Sequence, residues 1–385
     1  MMQQILVFVI LVVTLQMVAG RARLAPLYKS EDAIKGDYIV VLKNDVDQDA
    51  ISDSLIRTAR TQGETLIVRK RLRKLINAFV ANLPARALRL VRSHEAVRYV
   101  EQDSLVYADT TTWGLDRLDQ RDLPLDDSYM PVGDGGAGVN VYVLDTGIRT
   151  THEEFEDRAF IAYDAMQYAI GADGDCQGHG THCASTIGGK VYGVAPKAHV
   201  HSVRVLGCSG SGSKGGVMAG MDWVAENGER PAIVSMSLGG SGSYAEDEVL
   251  TNLDASGVLV VVAAGNSDYE ACRRSPARSR EALTVGASEI DDARAYFSNW
   301  GGCVDLFAPG RYITAASWLG DDLYRSISGT SMATPHVAGV AAVHLGVNPN
   351  YSTRELRDII MNSAARNKIG DPHGAPDLLL QIPRA

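Results

Sequence analysis

The chain has 385 residues, 45% hydrophobic and 22% charged, with a net charge of −9. That length has room for one sizeable domain beside a smaller one, and the composition is that of an ordinary globular protein. An acidic total leaves little support for a nucleic-acid-binding role.

In chain order, residues 1–4 are polar, Ile5 to Leu15 are almost all apolar, and Val18-Ala19-Gly20 supplies small residues for cleavage. Residues 1–20 therefore read as a secretory signal peptide, which places the mature protein outside the cell. No basic n-region precedes the apolar run, which keeps a membrane anchor as the rival reading. Against it, the run is shorter than the roughly 20 residues that span a bilayer. No other candidate span follows, so no membrane partner is expected.

Residues 21–108 alternate short elements. Strands are expected at 38–42, 78–83 and 97–101, and helices at 49–61 and 85–93, giving a small α+β module. The run RKRLRK at 69–74 reads as a solvated loop. This module carries 16 Lys and Arg against 11 Asp and Glu, a balance of +5, whereas the chain from 109 onward balances at −14. Opposite charge favours docking of one part on the other.

From Trp113 the pattern is α/β. Strands are expected at 139–144, 200–206, 232–237, 258–263 and 282–286. Helices are expected near 179–188, 215–227, 243–256, 330–345 and 353–363. Such alternation predicts a mostly parallel central sheet with helices on both faces and functional groups at strand ends. The chain stops at Ala385 soon after the last helix, with no recognisable accessory domain.

Three stretches carry chemistry. VNVYVL ends in Asp145-Thr146-Gly147, placing a carboxylate at the end of a buried strand. Gly178-His179-Gly180-Thr181-His182-Cys183-Ala184 sets a histidine among glycines at a helix start. In GTSMATPHVAG, from Gly329 to Gly339, Pro335 lacks an N–H, so a helix should begin close to Ser331 and hold its hydroxyl beside free backbone N–H groups. On local sequence alone Ser331 could equally be a capping serine. A serine becomes a nucleophile when an imidazole takes its proton and a buried carboxylate orients that imidazole. The order Asp, His, Ser differs from that of chymotrypsin and of the α/β-hydrolases. A zinc pair of His179 and His182 is the rival, but no H-E-x-x-H motif or third ligand accompanies it.

VLDTGI, GHGTHCA and GTSMATPHVAG resemble the three active-site blocks of the subtilisin-like serine peptidases. The flanking text is similar to the proteinase K branch, including the secreted aqualysin-type enzymes, over roughly residues 113–365. The resemblance implies a peptidase domain at 109–385, with Asp145 orienting, His179 as general base and acid, and Ser331 as nucleophile. It implies Asn266 as the side-chain donor to the oxyanion, with peptide held between Gly210-Ser211-Gly212 and Ser237-Leu238-Gly239. Ala263 and Gly265 belong to the same substrate site. The wall near Ala263 and Ala271 is small, which implies aliphatic or aromatic residues before the scissile bond, with Glu270, Arg273 and Arg274 placed to modify that preference.

Residues 21–108 look like the inhibitor-type propeptide of that family, removed by self-cleavage between about 105 and 110. The partners implied are protein or peptide substrates and the chain's own propeptide, acting on a monomer.

Five cysteines leave one unpaired and permit fifteen two-bridge pairings by sequence alone. The resemblance selects Cys176 with Cys208 and Cys272 with Cys303, leaving Cys183 free beside the catalytic pair, sensitive to mercurials and without a direct catalytic role. It also implies structural calcium, held by Asp305 and the carbonyls of Arg280 and Ala282, and no cofactor for catalysis. Asn350-Tyr351-Ser352 is a glycosylation sequon, and Ser352 also begins a capping box with Glu355. A catalytically silent relative would explain the fold but not the joint presence of Asp145, His179, Ser331 and Asn266, and an esterase of another fold would carry its histidine after its serine.

Overall fold

The computed structural model describes residues 24–29, 33–74, 76–104, 112–166 and 174–382. The expected signal segment and self-cleavage region lie outside the described residues. The chain forms two compact units, Met1–Ala108 and Asp109–Ala385.

The first unit runs β1 (Leu27–Tyr28), β2 (Ala33–Leu42), α1 (Gln48–Thr61), β3 (Ile67–Leu72), β4 (Ala78–Asn82), α2 (Ala85–Ser93) and β5 (Val97–Ser104). Its sheet has the order β1-β5-β2-β4-β3. Asp47 caps α1 by accepting from the amides of Asp49 and Ala50, and Leu55 and Ala59 of that helix pack with Val40, Phe79, Val91 and Val100. The basic run differs from the expected loop: β3 pairs antiparallel with β4 along Ile67–Leu72. Its arginines have partners within the unit, Arg69 on Asp37, Arg71 on Asp49 and Asp53 and Arg73 on Asp49. Alternation of long cationic stems on an exposed edge strand looks like a loop when only charge is counted.

The second unit begins with α3 (Trp113–Asp116), β6 (Asn140–Asp145), β7 (Ala159–Asp164), α4 (His179–Gly188), β8 (His199–Arg204) and α5 (Lys214–Asn227). It continues through β9 (Ala232–Met236), β10 (Gly240–Ser241), α6 (Tyr244–Ala255), β11 (Leu259–Ala263), β12 (Arg274–Ser275) and β13 (Ala282–Ser288). The remainder is β14 (Leu306–Pro309), β15 (Ile313–Ala316), β16 (Tyr324–Ile327), α7 (Thr330–Val347), α8 (Thr353–Ser363), β17 (Ala365–Arg366) and β18 (Leu378–Leu379). Nine strands make one sheet in the order β17-β18-β14-β13-β11-β9-β6-β8-β7. All neighbours in it are parallel except β17 with β18.

The five long strands read from sequence form the middle of this sheet, because a strand covered on both faces is a near-continuous apolar run. Val141 and Val143 of β6 join α4 and α7 in one core. Tyr142 and Leu144 point the other way and pack with α5 and α6. Helices therefore cover both faces. α7 is the buried spine: every residue from Thr330 to Val343 is buried. Gly339 allows this, since a Cβ there would lie 2.5 Å from that of Val194. Among the described residues no helix is long and apolar enough to cross a membrane.

Candidate active site

β6 ends in Asp145, which is fully buried. The loop that follows meets the first turn of α4, where a side chain at Gly180 would collide with the carbonyl of Gly147 at 2.2 Å. Glycine is thus required for the carboxylate and His179 to meet. His179 Nδ1 lies 2.9 Å from both carboxylate oxygens of Asp145, and the Thr146 amide also donates to Oδ1 at 2.7 Å. Burial pulls the imidazole pKa down, but the Asp145 charge, helped by Cys183, outweighs it and the net shift is well above the ordinary 6.5. With Nδ1 occupied, the other ring nitrogen is the one left for proton transfer.

Asp175, which the sequence reading did not single out, fastens this corner. Its Oδ1 accepts from the Thr146 hydroxyl and the amides of Gln177 and Gly178. Its Oδ2 accepts from the Thr181 amide and hydroxyl. One buried carboxylate therefore ties the loop after Asp145 to the start of α4.

Ser331 lies in the first turn of α7 and is 8% exposed. Because Pro335 has no N–H, the Ser331 carbonyl loses its partner within the helix. Two side chains replace it: Ser237 Oγ donates at 2.9 Å and Cys183 Sγ at 3.3 Å. The same sulfur lies 3.9 Å from His179 Nδ1, so Cys183 bridges the turns bearing the imidazole and the serine. Burial holds its thiol pKa up, keeping it a donor. Among the described residues the Ser331 hydroxyl hydrogen-bonds the Ser237 carbonyl at 3.2 Å, not His179.

Asn266 follows the carboxyl end of β11. Its Oδ1 accepts from the amide and the hydroxyl of Thr330 at 2.8 and 2.9 Å. That fixes the amide's orientation and turns Nδ2 away from Thr330, as an oxyanion donor requires. Thr330, next to the serine, was not singled out from sequence either.

Two connected cavities share Ser237, Leu238 and Gly239. The first, about 430 Å³, is lined by His179, Gly210, Ser211 and Gly212. The second, about 300 Å³, is lined by Ala263, Gly265, Asn266 and Ser331. Ala271 is buried in a core cluster instead, and Ala277 lines the wall expected of it.

Cys176 is bonded to Cys208 and Cys272 to Cys303, and Cys183 is free and buried. His182 turns away from His179: its Nε2 lies 3.0 and 3.2 Å from the carbonyls of Ile313 and Arg325. Burial, then Arg325, lowers its pKa to about 3. It stays neutral and bonded to backbone, unlike a zinc ligand beside His179.

Asp305 has a carboxyl pKa raised to about 6 by burial. Its Oδ2 accepts from the Thr284 amide at 2.7 Å, and among the described residues no hydrogen bond reaches Oδ1. A carboxylate oxygen without a hydrogen-bond donor among the described residues is of the kind that a hard cation with oxygen ligands takes. Asn350 is exposed, and the Ser352 capping box is formed.

A profile of the Subtilase family matches residues 136–377. The chain is 48% identical over 315 residues to "Alkaline serine exoprotease A" of Vibrio alginolyticus, covering 79% of this chain and 58% of that protein. Identity to "Extracellular serine proteinase" of Thermus sp. (strain Rt41A) is 43% over 388 residues, covering 95% and 94%. To a "Cuticle-degrading serine protease" of Arthrobotrys oligospora it is 38%, covering 93% of each. The chain thus spans less than two thirds of the Vibrio relative and nearly all of the other two. The crystal structure of "a cold adapted subtilisin-like serine proteinase" superposes with a TM-score of 0.67 at 50% identity, covering 70% of this chain and 97% of that one.

Proposed function

The chain belongs to the subtilase family of serine endopeptidases, and from that premise we propose that it is a secreted, self-processed endopeptidase using Asp145, His179 and Ser331. The observation that carries the proposal is the buried Asp145 carboxylate meeting His179 Nδ1 at 2.9 Å, with Cys183 joining that turn to the carbonyl of Ser331. The Ser331 hydroxyl leaves the Ser237 carbonyl by rotation about its Cα–Cβ bond, loses its proton to His179 and attacks the substrate carbonyl. The oxyanion takes hydrogen bonds from Asn266 Nδ2 and the Ser331 amide. His179 then protonates the leaving amine, and water completes hydrolysis through the reverse proton path.

Peptide lies extended between Gly210–Gly212 and Ser237–Gly239, bound through its main chain, which makes the preference broad. The residue before the scissile bond enters the cavity walled by Ala263, Ala264 and Ala277, which suits aliphatic and aromatic side chains.

Residues 1–20 direct secretion, residues 21–108 act as an inhibitory propeptide, and residues 109–385 are the peptidase, acting as a monomer. Asp305 with the carbonyls of Arg280 and Ala282 holds structural calcium, which would stiffen the start of β13 and takes no part in the chemistry. Asn350 is the glycosylation site.

The reading is tested with a fluorophosphonate probe and a peptide substrate. Wild type is labelled at Ser331 and loses activity, whereas Ser331→Ala is neither labelled nor active. Labelling elsewhere, or a fully active Ser331→Ala, would contradict it.

A further inference from the structure

The cavity beside Ser331 is not chemically neutral. Of the side chains lining it, Arg274 alone is ionisable. The neighbouring cations are already satisfied: Arg273 pairs with Glu270 at 3.5 Å and bonds the Tyr269 hydroxyl at 3.2 Å, and Arg278 pairs with Asp247 at 2.7 Å. The Arg274 guanidinium rests on the Tyr269 ring, 5.6 Å from its centre, and makes no hydrogen bond or ion pair among the described residues. Its backbone is held by the pairing of β12 with β10, Arg274 opposite Ser241, so the residue is anchored beside the cleft. A half-buried cation on an aromatic face, with its five donors unclaimed and no carboxylate lining the cavity, is a donor site suited to an anion.

We propose that Arg274 is a specificity-determining residue that makes this cavity accept glutamate before the scissile bond. This rests on the reading that the cavity receives that side chain. The alanine wall takes the two methylenes, and the guanidinium takes the carboxylate in paired N–H donation. Substrate lysine at the same position meets like charge and is disfavoured. The half-buried Glu270 and the exposed Arg273 pair with each other and leave the cavity's charge to Arg274.

The test uses the mature enzyme and peptides identical except for Glu, Gln or Lys before the scissile bond. For wild type kcat/KM for Glu exceeds that for Gln by about tenfold, the size of one charge-assisted contact, and Lys is the poorest. Arg274→Gln brings the Glu to Gln ratio to about one, Arg274→Lys keeps part of it, and 1 M salt shrinks it in wild type. Each ratio is taken within one protein, so a general loss of activity cancels. A wild-type ratio near or below one, or a ratio that Arg274→Gln leaves intact, overturns the proposal. Cleavage of these peptides by Ser331→Ala would instead defeat the underlying peptidase reading, a separate and recognisable result.

Discussion

His179 carries its function through its neighbours, and the sign of its titration follows from them. Held charged by Asp145, the imidazole has a pKa raised well above 6.5. As the proposed general base it must be neutral, so kcat/KM should climb as pH rises through that value, with its acid limb lying above pH 6.5 rather than at or below it. Linkage has the opposite direction for stability: a folded-state pKa above the unfolded one favours the fold below about pH 6.5, and that contribution is lost as pH rises through the folded value. A pH–rate profile on a neutral peptide substrate checks the first statement. Asp145→Asn can still hydrogen-bond Nδ1 but holds the wrong imidazole tautomer, and should lower kcat by about 10⁴. Thr330→Val is subtler. It deletes the hydroxyl that donates to Asn266 Oδ1, so the proposed oxyanion donor loses part of its orientation, and kcat should fall by roughly fivefold, one neutral hydrogen bond, with KM little changed. An equal fall on Asn266→Ala alone and on the double variant would show that Thr330 acts through Asn266.

Elements, in this molecule, were legible where their period was strong and opaque where charge or brevity hid it. The five buried strands from β6 to β13 announced themselves as runs such as VLVVV, and the glycine-flanked histidine and the Pro335 helix start marked α4 and α7. β3 did not, because its solvated cations mask the alternation that pairs it with β4. β7 is as long as β6 but ends the sheet and is half-exposed, so it lacks the continuous buried run of the central strands, and β14, at four residues, is too short to reveal a period. The catalytic blocks were readable as local words. Asp175, Thr330 and the Ser237 hydroxyl were not, since each acts on a backbone group or side chain contributed by another segment, and such pairings leave no spacing in the sequence.

Pro335 strips the Ser331 carbonyl of its helical donor, and Cys183 is one of the two replacements. A mercurial on that sulfur would push apart α4 and α7, so p-chloromercuribenzoate should inactivate the enzyme. Cys183→Ser, which keeps a donor, should resist the reagent and stay active. Inhibition of the variant as well would place the reactive site elsewhere.

On the scale of the whole molecule, stability is expected to lean on ties that cross the sheet's loops. The Cys176–Cys208 bond joins the segment before His179 to the stretch that lines the first cavity at Gly210–Gly212, and Cys272–Cys303 secures the stretch beside Asp305. If Asp305 holds calcium at a hundredfold excess over its dissociation constant, the ion adds about 2.7 kcal/mol. Chelation should then lower Tm by roughly 5 to 10 °C for a domain of this size. Asp305→Asn should show the lower Tm already and respond little to the chelator, whereas an unchanged Tm in chelated wild type would remove the ion from the account.

Under the proposed function, one chain cuts itself free with its own serine. Mass determination on the secreted products of wild type and Ser331→Ala tests it most directly. The wild-type product should begin between about 105 and 110, and the mutant should still carry its first unit. Products cut alike, or both left whole, would contradict it.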